Sequence, residues 1–357
     1  MKKNVGTLTF HGVINHGAVL QAYALQKFLI RNGFESEIID YRPIYFLWQV
    51  IRPAKGVSKT LLKYKRKKKF NKFSDNHLRI SKSVFFKLKD FEKKTDCYDV
   101  VVCGSDQIWN KDITGKKCDE VYFQRYSSGS KKVAYAASAG ANSISGELGV
   151  CDALKCFSAI GIREDHLVSD VSKLDGVVDP VHVVDPTLLL NRESYKEICY
   201  SSIVPKGKYI VSYEVGTDET REKYDLFVSD IKNKLNIPVF HIGDKPIKSA
   251  DKNVLDIAPS DWLAFLDSSE AVITNSFHGT AFAVNFRKPL FVFPHLDDEK
   301  NVRLKSFLKA IDMINCFVDP KKEINEEVIR NKFMKRNYSL FDGLVDRSKN
   351  FLLNSLR

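Results

Sequence analysis

A chain of 357 residues with 44% hydrophobic and 28% charged side chains exceeds what one core usually organises, so two domains are expected. No apolar run approaches the roughly 20 residues that cross a bilayer, and the basic start reaches His11 too soon for a signal-peptide core, so a cytoplasmic protein is expected. The net charge of +12 is local: sixteen Lys or Arg against three acidic residues lie between Arg52 and Lys94, and the remainder sums to −1. A basic segment of that kind is a local device, and without a recognition motif it argues against nucleic acid as partner.

In chain order, Val5 to Phe10 reads as a strand, and Ala18, Gln21, Ala22, Leu25, Phe28 and Leu29 recur at helical spacing. The polar loop between them puts Asn15, His16 and Gly17 at a helix start. Gly33 stops that helix, and Glu35 to Tyr41 supplies the next strand. Tyr45 to Lys94 breaks the alternation and reads as a basic insertion, at about 45–95, holding one or two short helices. The β-branched run Asp99 to Cys103 is a buried strand that ends in the polar loop Gly104 to Asn110. Strands at Lys132 to Ala137, Ala159 to Arg163 and Val181 to Val184 follow, with helices at Gly146 to Leu154 and through Val168 and Leu174.

A boundary near Pro186 to Pro205 divides an N-terminal domain, 1–190, from a C-terminal one, 191–357. The second half repeats the scheme with strands at Tyr209 to Tyr213 and Pro238 to Ile242 and helices at Thr220 to Leu235 and Ser260 to Asp267. The unit Ala271 to Pro294 follows as strand, turn, helix and strand. Then come a helix at Asn301 to Ile311, an apolar run at Cys316 to Val318, and helical patterns from Asn325 onward. The last helices are expected to pack back on the first domain. The fold class is α/β: two Rossmann-like domains facing a cleft lined by strand-end loops.

The seven cysteines are scattered and form no Cys-x-x-Cys pair, so neither a disulfide framework nor a zinc site is signalled. His295, Asp297, Asp298 and Glu299 cluster, but a solvated acidic loop is the simpler reading, and no metal is assigned. In the turn after Ala271 to Ile273, the sequence Ser276-Phe277-His278-Gly279-Thr280 falls at a helix start, where unpaired amides favour anions. His278 is also a candidate acid, because imidazole serves near neutral pH. Asp106 is the most plausible carboxylate among the first-domain loops, beside Gly104, Ser105, Gln107 and Asn110; its simpler reading is a helix cap. Asn15, His16, Gly17 and Gln21 are candidate cleft residues. Gly17 reads equally as a tight-turn glycine and His11 as a loop residue without a role. Arg303 is either an anion contact or a surface residue.

The segments TFHGVINHGAVLQAYALQKFL, IIDY, VVVCGSDQIWN, VAYAASAG, IGIREDH, VVDPTLLL and ITNSFHGTAFAVNFRKPLFVFP together resemble the polysaccharide pyruvyl transferase family. The resemblance runs in order from about residue 5 to about 312. It implies a two-domain architecture similar to the GT-B glycosyltransferases. It also implies transfer of a pyruvyl group from phosphoenolpyruvate to a saccharide or lipid-linked saccharide acceptor, commonly as a cyclic ketal, with no cofactor. Carried onto this chain, it makes Arg163 the donor-binding arginine and His278 the histidine of a His-Gly motif. Some members have arginine and leucine where this chain has Ser276 and Phe277, so one donor-contacting cation is missing here or supplied from elsewhere.

Phosphoenolpyruvate carries a carboxylate and a phosphate, which the Gly279 and Thr280 amides, the Thr280 hydroxyl and the Arg163 guanidinium suit. Without the resemblance, Arg163 reads equally as an ion-pair partner of Glu164 or Asp165. The basic insertion, with Phe70, Phe73, Phe85 and Phe86 interleaved, fits either an anionic membrane surface, placing the protein at the inner membrane face, or a solvated helix face whose aromatics are core. The competing functions are a GT-B-like glycosyltransferase using a nucleotide sugar and a noncatalytic membrane-associated binding protein.

Overall fold

A computed structural model describes residues 2–46, 56–92, 94–318, 325, 327, 329, 333 and 337–357. The chain divides into two units, Met1–Leu189 with Gly343–Arg357, and Leu190–Asp342.

In the first unit, seven strands form one parallel sheet: β1 Asn4–Leu8, β2 Glu35–Tyr41, β3 Ile80–Phe85, β4 Val100–Cys103, β5 Lys131–Ala137, β6 Ala159–Ile162 and β7 Val181–His182. Their spatial order is β3-β2-β1-β4-β5-β6-β7. The winding runs outward from β1 to β3, then returns to the other side of β1 with β4, so the switch point lies between β1 and β4. Ligands of open α/β sheets bind at the carboxyl ends beside such a switch. The β1–β4 register, Thr7 against Val102 and Leu8 against Cys103, puts Thr9 and Gly104 at that edge.

Helix α1, His16–Arg31, is capped by Asn15, whose side chain accepts from Ala18 N. Helix α2, Val57–His77, and strand β3 lie within the Lys-rich segment. The segment read as an insertion is thus largely a βαβ crossover onto the edge of the sheet; residues 47–55 and 93 of it lie outside the described residues. The strand carries no alternating signal because an edge strand tolerates charge and a weak apolar pattern: Ser81 and Phe85 are its buried side chains. The unit continues with the short helices α3, Val150–Leu154, and α4, Asp165–Val171.

The second unit holds a five-stranded parallel sheet: β8 Ile210–Tyr213, β9 Val239–Ile242, β10 Lys252–Val254, β11 Ala271–Thr274 and β12 Leu290–Val292, in the order β10-β9-β8-β11-β12. Its switch point lies between β8 and β11. Helices α5 Asp218–Leu235, α6 Pro259–Ser268 and α7 Phe277–Asn285 connect strands of this sheet, and α8 Asp298–Ala310 follows β12. Aliphatic side chains fill this core together with aromatic ones, with Trp262 wedged between Tyr213 and Phe282. Helix α9, Ser339–Leu356, returns to the first unit: Ser348 Oγ accepts from Val184 N, and Phe351 packs on Tyr135. Of the helical pattern expected from Asn325, most residues before Asn337 lie outside the described residues.

Candidate active site

In the second unit the switch-point loops are tied together. Thr274 Oγ1 donates to the Tyr213 carbonyl at 2.7 Å. Asn275 pairs with Val215 through both backbone groups at 2.9 Å, as acceptor from its amide and donor to its carbonyl. Ser276 is the N-cap of α7, its hydroxyl accepting from Gly279 N at 3.4 Å, and the Thr280 amide donates to the Ser276 carbonyl. The Gly279 and Thr280 amides assigned to an anion are therefore engaged within the turn, because an N-cap hydroxyl satisfies the N3 amide and Thr280 already joins the helical ladder. A Cβ at Gly279 would lie 2.5 Å from Thr274 Oγ1, so glycine is what lets the helix start sit directly on the strand ends.

Thr280 is fully buried, and its Oγ1 has no hydrogen-bond partner among the described residues. Phe277 and His278 are buried too, their rings edge to face at 5.3 Å. Over the Phe277 ring, at 5.8 Å, lies the Arg303 guanidinium from α8. His295 lies three residues beyond β12. Burial pushes its pKa down to about 4, against a hydrogen bond with the Asn275 backbone and with the charges of Lys300 and Arg303 adding to the effect. The acidic residues beside it are helix-cap groups: Asp297 caps α8 and Asp298 pairs with Lys305. Among the described residues no cluster of three His, Cys, Asp or Glu side chains is placed to hold a metal.

The corresponding edge of the first unit holds a buried polar network. Gln21 donates to Thr9 Oγ1 and to the Phe10 and Ala18 carbonyls and accepts from Ser105 N, clamping β1 to β4. Ser105 Oγ contacts the Ala136 carbonyl at 3.0 Å and Asp185 at 3.1 Å. Arg163 donates to Asp185 at 2.7 Å and to Glu164 at 3.3 Å, and Glu164 accepts from Ser138. Burial works against the charge of Arg163, but Glu164, Asp185 and Asp106 outweigh it and raise its pKa. Of the partners named from sequence, Glu164 holds; Asp165 instead meets His182, and Asp185 takes its place.

Asp106 has φ 72° and accepts from Gln107 N, with no helix following to cap. Gly104 has φ 120°, and a Cβ there would fall 2.2 Å from the Tyr135 carbonyl oxygen. Asn110 braces the same loop, bonded to Gln107 and Asn142. Asn15 is exposed at its cap, His16 packs its ring 4.9 Å from Phe70, and Gly17 is a buried helical residue rather than a turn residue. Of the first-domain candidates, Ser105, Asp106 and Arg163 are thus brought together, whereas Gln21 and Asn110 are spent on fixing the loops.

A cavity of about 290 Å³ lies on the other side of β1, under α2, between the carboxyl ends of β1 and β2. His11, Asp40, Arg42, Lys67 and Asp75 supply its polar and charged lining, and Phe10, Phe46 and Phe70 its aromatic one. His11 Nε2 is 3.1 Å from Asp40, and Arg42 grips the same carboxylate with two N–H donors at 2.8 and 2.7 Å. Burial opposes ionisation of Asp40, but these hydrogen bonds prevail and hold its carboxyl below the ordinary range. The sequence reads His11 as a loop residue without a role and gives Asp40 none; the available signal is a carboxylate at a strand end next to the switch strand.

Two parallel α/β units in one chain define the class of fold. The structure of UDP-GlcNAc 2-epimerase from Methanocaldococcus jannaschii is similar over 99% of each chain, with a TM-score of 0.53 and 11% identity. A second structure of that enzyme, in complex with UDP-GlcNAc and UDP, is similar over 99% of this chain and 100% of its own, with a TM-score of 0.51 and 12% identity. At such identity the likeness is one of fold: two Rossmann-like units of the GT-B kind. No curated protein matches the chain. The sequence itself matches the polysaccharide pyruvyl transferase family over residues 15–298, and the chain belongs to that family.

Proposed function

We propose that the protein transfers the pyruvyl group of phosphoenolpyruvate to two hydroxyls of a saccharide, free or lipid-linked, as a cyclic ketal. Within the family, the observation that carries this reading is the start of α7: a buried Thr280 hydroxyl with no hydrogen-bond partner among the described residues, two residues from a buried His278, at the switch point of a parallel sheet. An anionic donor would give Thr280 Oγ1 a hydrogen-bond partner. Arg303, held over Phe277, is the cation that Ser276 does not supply.

In the reaction a proton adds to C3 of the enol, a sugar oxygen adds to C2, the C2–phosphate oxygen bond breaks, and the second sugar oxygen closes the ketal. The two hydroxyls release two protons; one balances that taken by C3 and the other leaves with phosphate. His278 is the proposed acid, for C3 or for the departing phosphate. Asp106 is the proposed base towards an acceptor hydroxyl. Arg163 keeps the ends of β4, β6 and β7 in place through Ser105, Glu164 and Asp185; two carboxylates offset its charge, which favours a positioning role over first contact with the donor. The cavity beside His11, Asp40 and Arg42 has the aromatic and charged lining that suits a sugar ring.

A rival reading, glycosyl transfer from a nucleotide sugar, gains one feature: Glu214, a buried carboxylate at the end of β8. It is gripped by Arg221 at 3.1 and 3.0 Å, which leaves the pyruvyl reading ahead. Purified protein incubated with phosphoenolpyruvate and a panel of glycolipid acceptors should release phosphate only when an acceptor is present. Binding of a nucleotide sugar with no acceptor-dependent phosphate release would replace this reading with the rival one.

A further inference from the structure

Of the four aromatic residues that suggested a membrane contact, Phe70, Phe73 and Phe85 are buried, and Phe86, which is exposed, follows β3 rather than lying on α2. Phe70 and Phe73 of α2 are 3% and 4% exposed and pack towards His16 and Tyr23. The outward side of the helix carries a different apolar set: Val57, Leu61 and Tyr64, exposed by 87%, 52% and 66%. At about 100° per residue, Val57, Leu61, Tyr64 and Lys68 fall within roughly 60° of one another, opposite Phe70 and Phe73. Lys65 and Lys72 border that stripe on one side, they and Lys68 are exposed, and Asp75, about five turns beyond Val57, falls on the same face.

Charge decides what such a face meets. Between Val57 and His77 there are eight Lys or Arg and a single acid, Asp75, near the far end. A helix selected only for solubility intersperses both signs at i,i+4 spacing; here the acidic half of every pair is absent through residue 74. A row of apolar side chains edged by Lys65, Lys68 and Lys72 is complementary to a surface with phosphate at its rim and hydrocarbon beneath. We propose that the outward face of α2 seats the protein on an anionic lipid bilayer, with Leu61 and Tyr64 entering the headgroup layer and Lys65, Lys68 and Lys72 pairing with lipid phosphates. This surface is independent of the proposed chemistry, and it would bring the catalytic chain to lipid-borne substrates.

The test is sedimentation of the full chain with vesicles of phosphatidylcholine alone or with about one-third phosphatidylserine. Wild-type protein should bind the anionic vesicles, lose binding as salt is raised, and leave the neutral ones. The pair Leu61→Ser with Tyr64→Ser, and separately the triple Lys65→Glu, Lys68→Glu and Lys72→Glu, should each weaken binding by about tenfold or more while the thermal midpoint stays put. A control triple of equal charge change on other exposed lysines, Lys116→Glu, Lys117→Glu and Lys173→Glu, should bind like wild type. Equal loss in the control would reduce the effect to bulk charge and overturn the proposal. So would wild-type affinity in both α2 variants, or wild-type protein that ignores the vesicles and retains an RNA oligomer at the same salt. None of these readouts depends on turnover, so failure here leaves the pyruvyl reading intact, and the converse holds.

Discussion

His11 Nε2 lies 3.1 Å from Asp40 Oδ1 at the wall of the first-unit cavity, and both side chains are almost wholly buried. The pair joins the loop after β1 to the end of β2. Replacing Asp40 by Ala removes the shared acceptor of the buried His11 ring and of Arg42. A loss of about 1–3 kcal/mol in urea unfolding is expected, together with a raised KM for the acceptor and an unchanged KM for phosphoenolpyruvate. An Asp40→Ala enzyme whose acceptor KM is unmoved would remove this cavity from the acceptor path.

Arg163→Ala will not be a clean activity probe. It leaves Glu164 and Asp185, both fully buried, without their counter-charge, and breaking a buried pair of this sort costs about 3–5 kcal/mol. Lower thermal stability is therefore expected along with lost turnover. Arg163→Lys keeps the charge but forfeits the fork, so it should recover part of the stability; a fully stable, inactive Arg163→Ala protein would restore Arg163 as a direct donor ligand.

At the start of α7 the opposite pattern is expected. Thr280→Val removes a hydroxyl with no partner among the described residues, so stability should change by less than about 1 kcal/mol or improve. If the donor meets that hydroxyl, KM for phosphoenolpyruvate rises about tenfold, while His278→Ala abolishes turnover in a folded protein. Full activity in both variants, read by phosphate release, would move the donor elsewhere.

His241 is fully buried and contacts Ser212 Oγ at 2.9 Å. Burial is the main cause that pushes its pKa from 6.5 down to about 4. The unfolded chain therefore binds a proton that the folded one refuses between those two values, so stability is full above about pH 6.5 and falls as the pH drops towards 4. The shift is worth roughly 3 kcal/mol, and His295 acts with the same sign. Urea midpoints across this window should flatten in His241→Gln relative to wild type; an unchanged slope would count against a neutral buried His241.

Gly104→Ala tests the strand-end turn. Its Cβ would enter the Tyr135 carbonyl at 2.2 Å on a backbone with φ 120°, so a loss of about 3 kcal/mol or more is expected in chemical unfolding. A near-neutral substitution would mean that the Gly104–Asp106 loop relaxes freely, against the bracing by Gln21 and Ser105.

Periodicity and punctuation were enough to make much of this protein legible. The β-branched run ending at Cys103 and the run Ala271 to Ile273 are short and apolar because strands covered on both faces of a parallel sheet need no polar side. Each is followed by small polar residues because chain reversal at the carboxyl edge needs capping groups and glycine. That is why Ser105, Asp106, Ser276 and His278 could be singled out, and the family with them. The Lys-rich segment failed because β3 lies at a sheet edge, where burial leaves little alternation to read.

Partnership is what only the tertiary structure decided. Arg163 and Asp185 are 22 residues apart and His11 and Asp40 are 29 apart, distances over which local pattern carries no information about who neutralises whom. The sequence alone determined which residues stand at strand ends, since that follows from local hydrophobic period and turn chemistry. The crossing order of the strands then determined which of those ends become neighbours, turning Gln21 into a clamp, Arg163 into the centre of an ion-pair network, and His11 with Asp40 into the wall of a cavity.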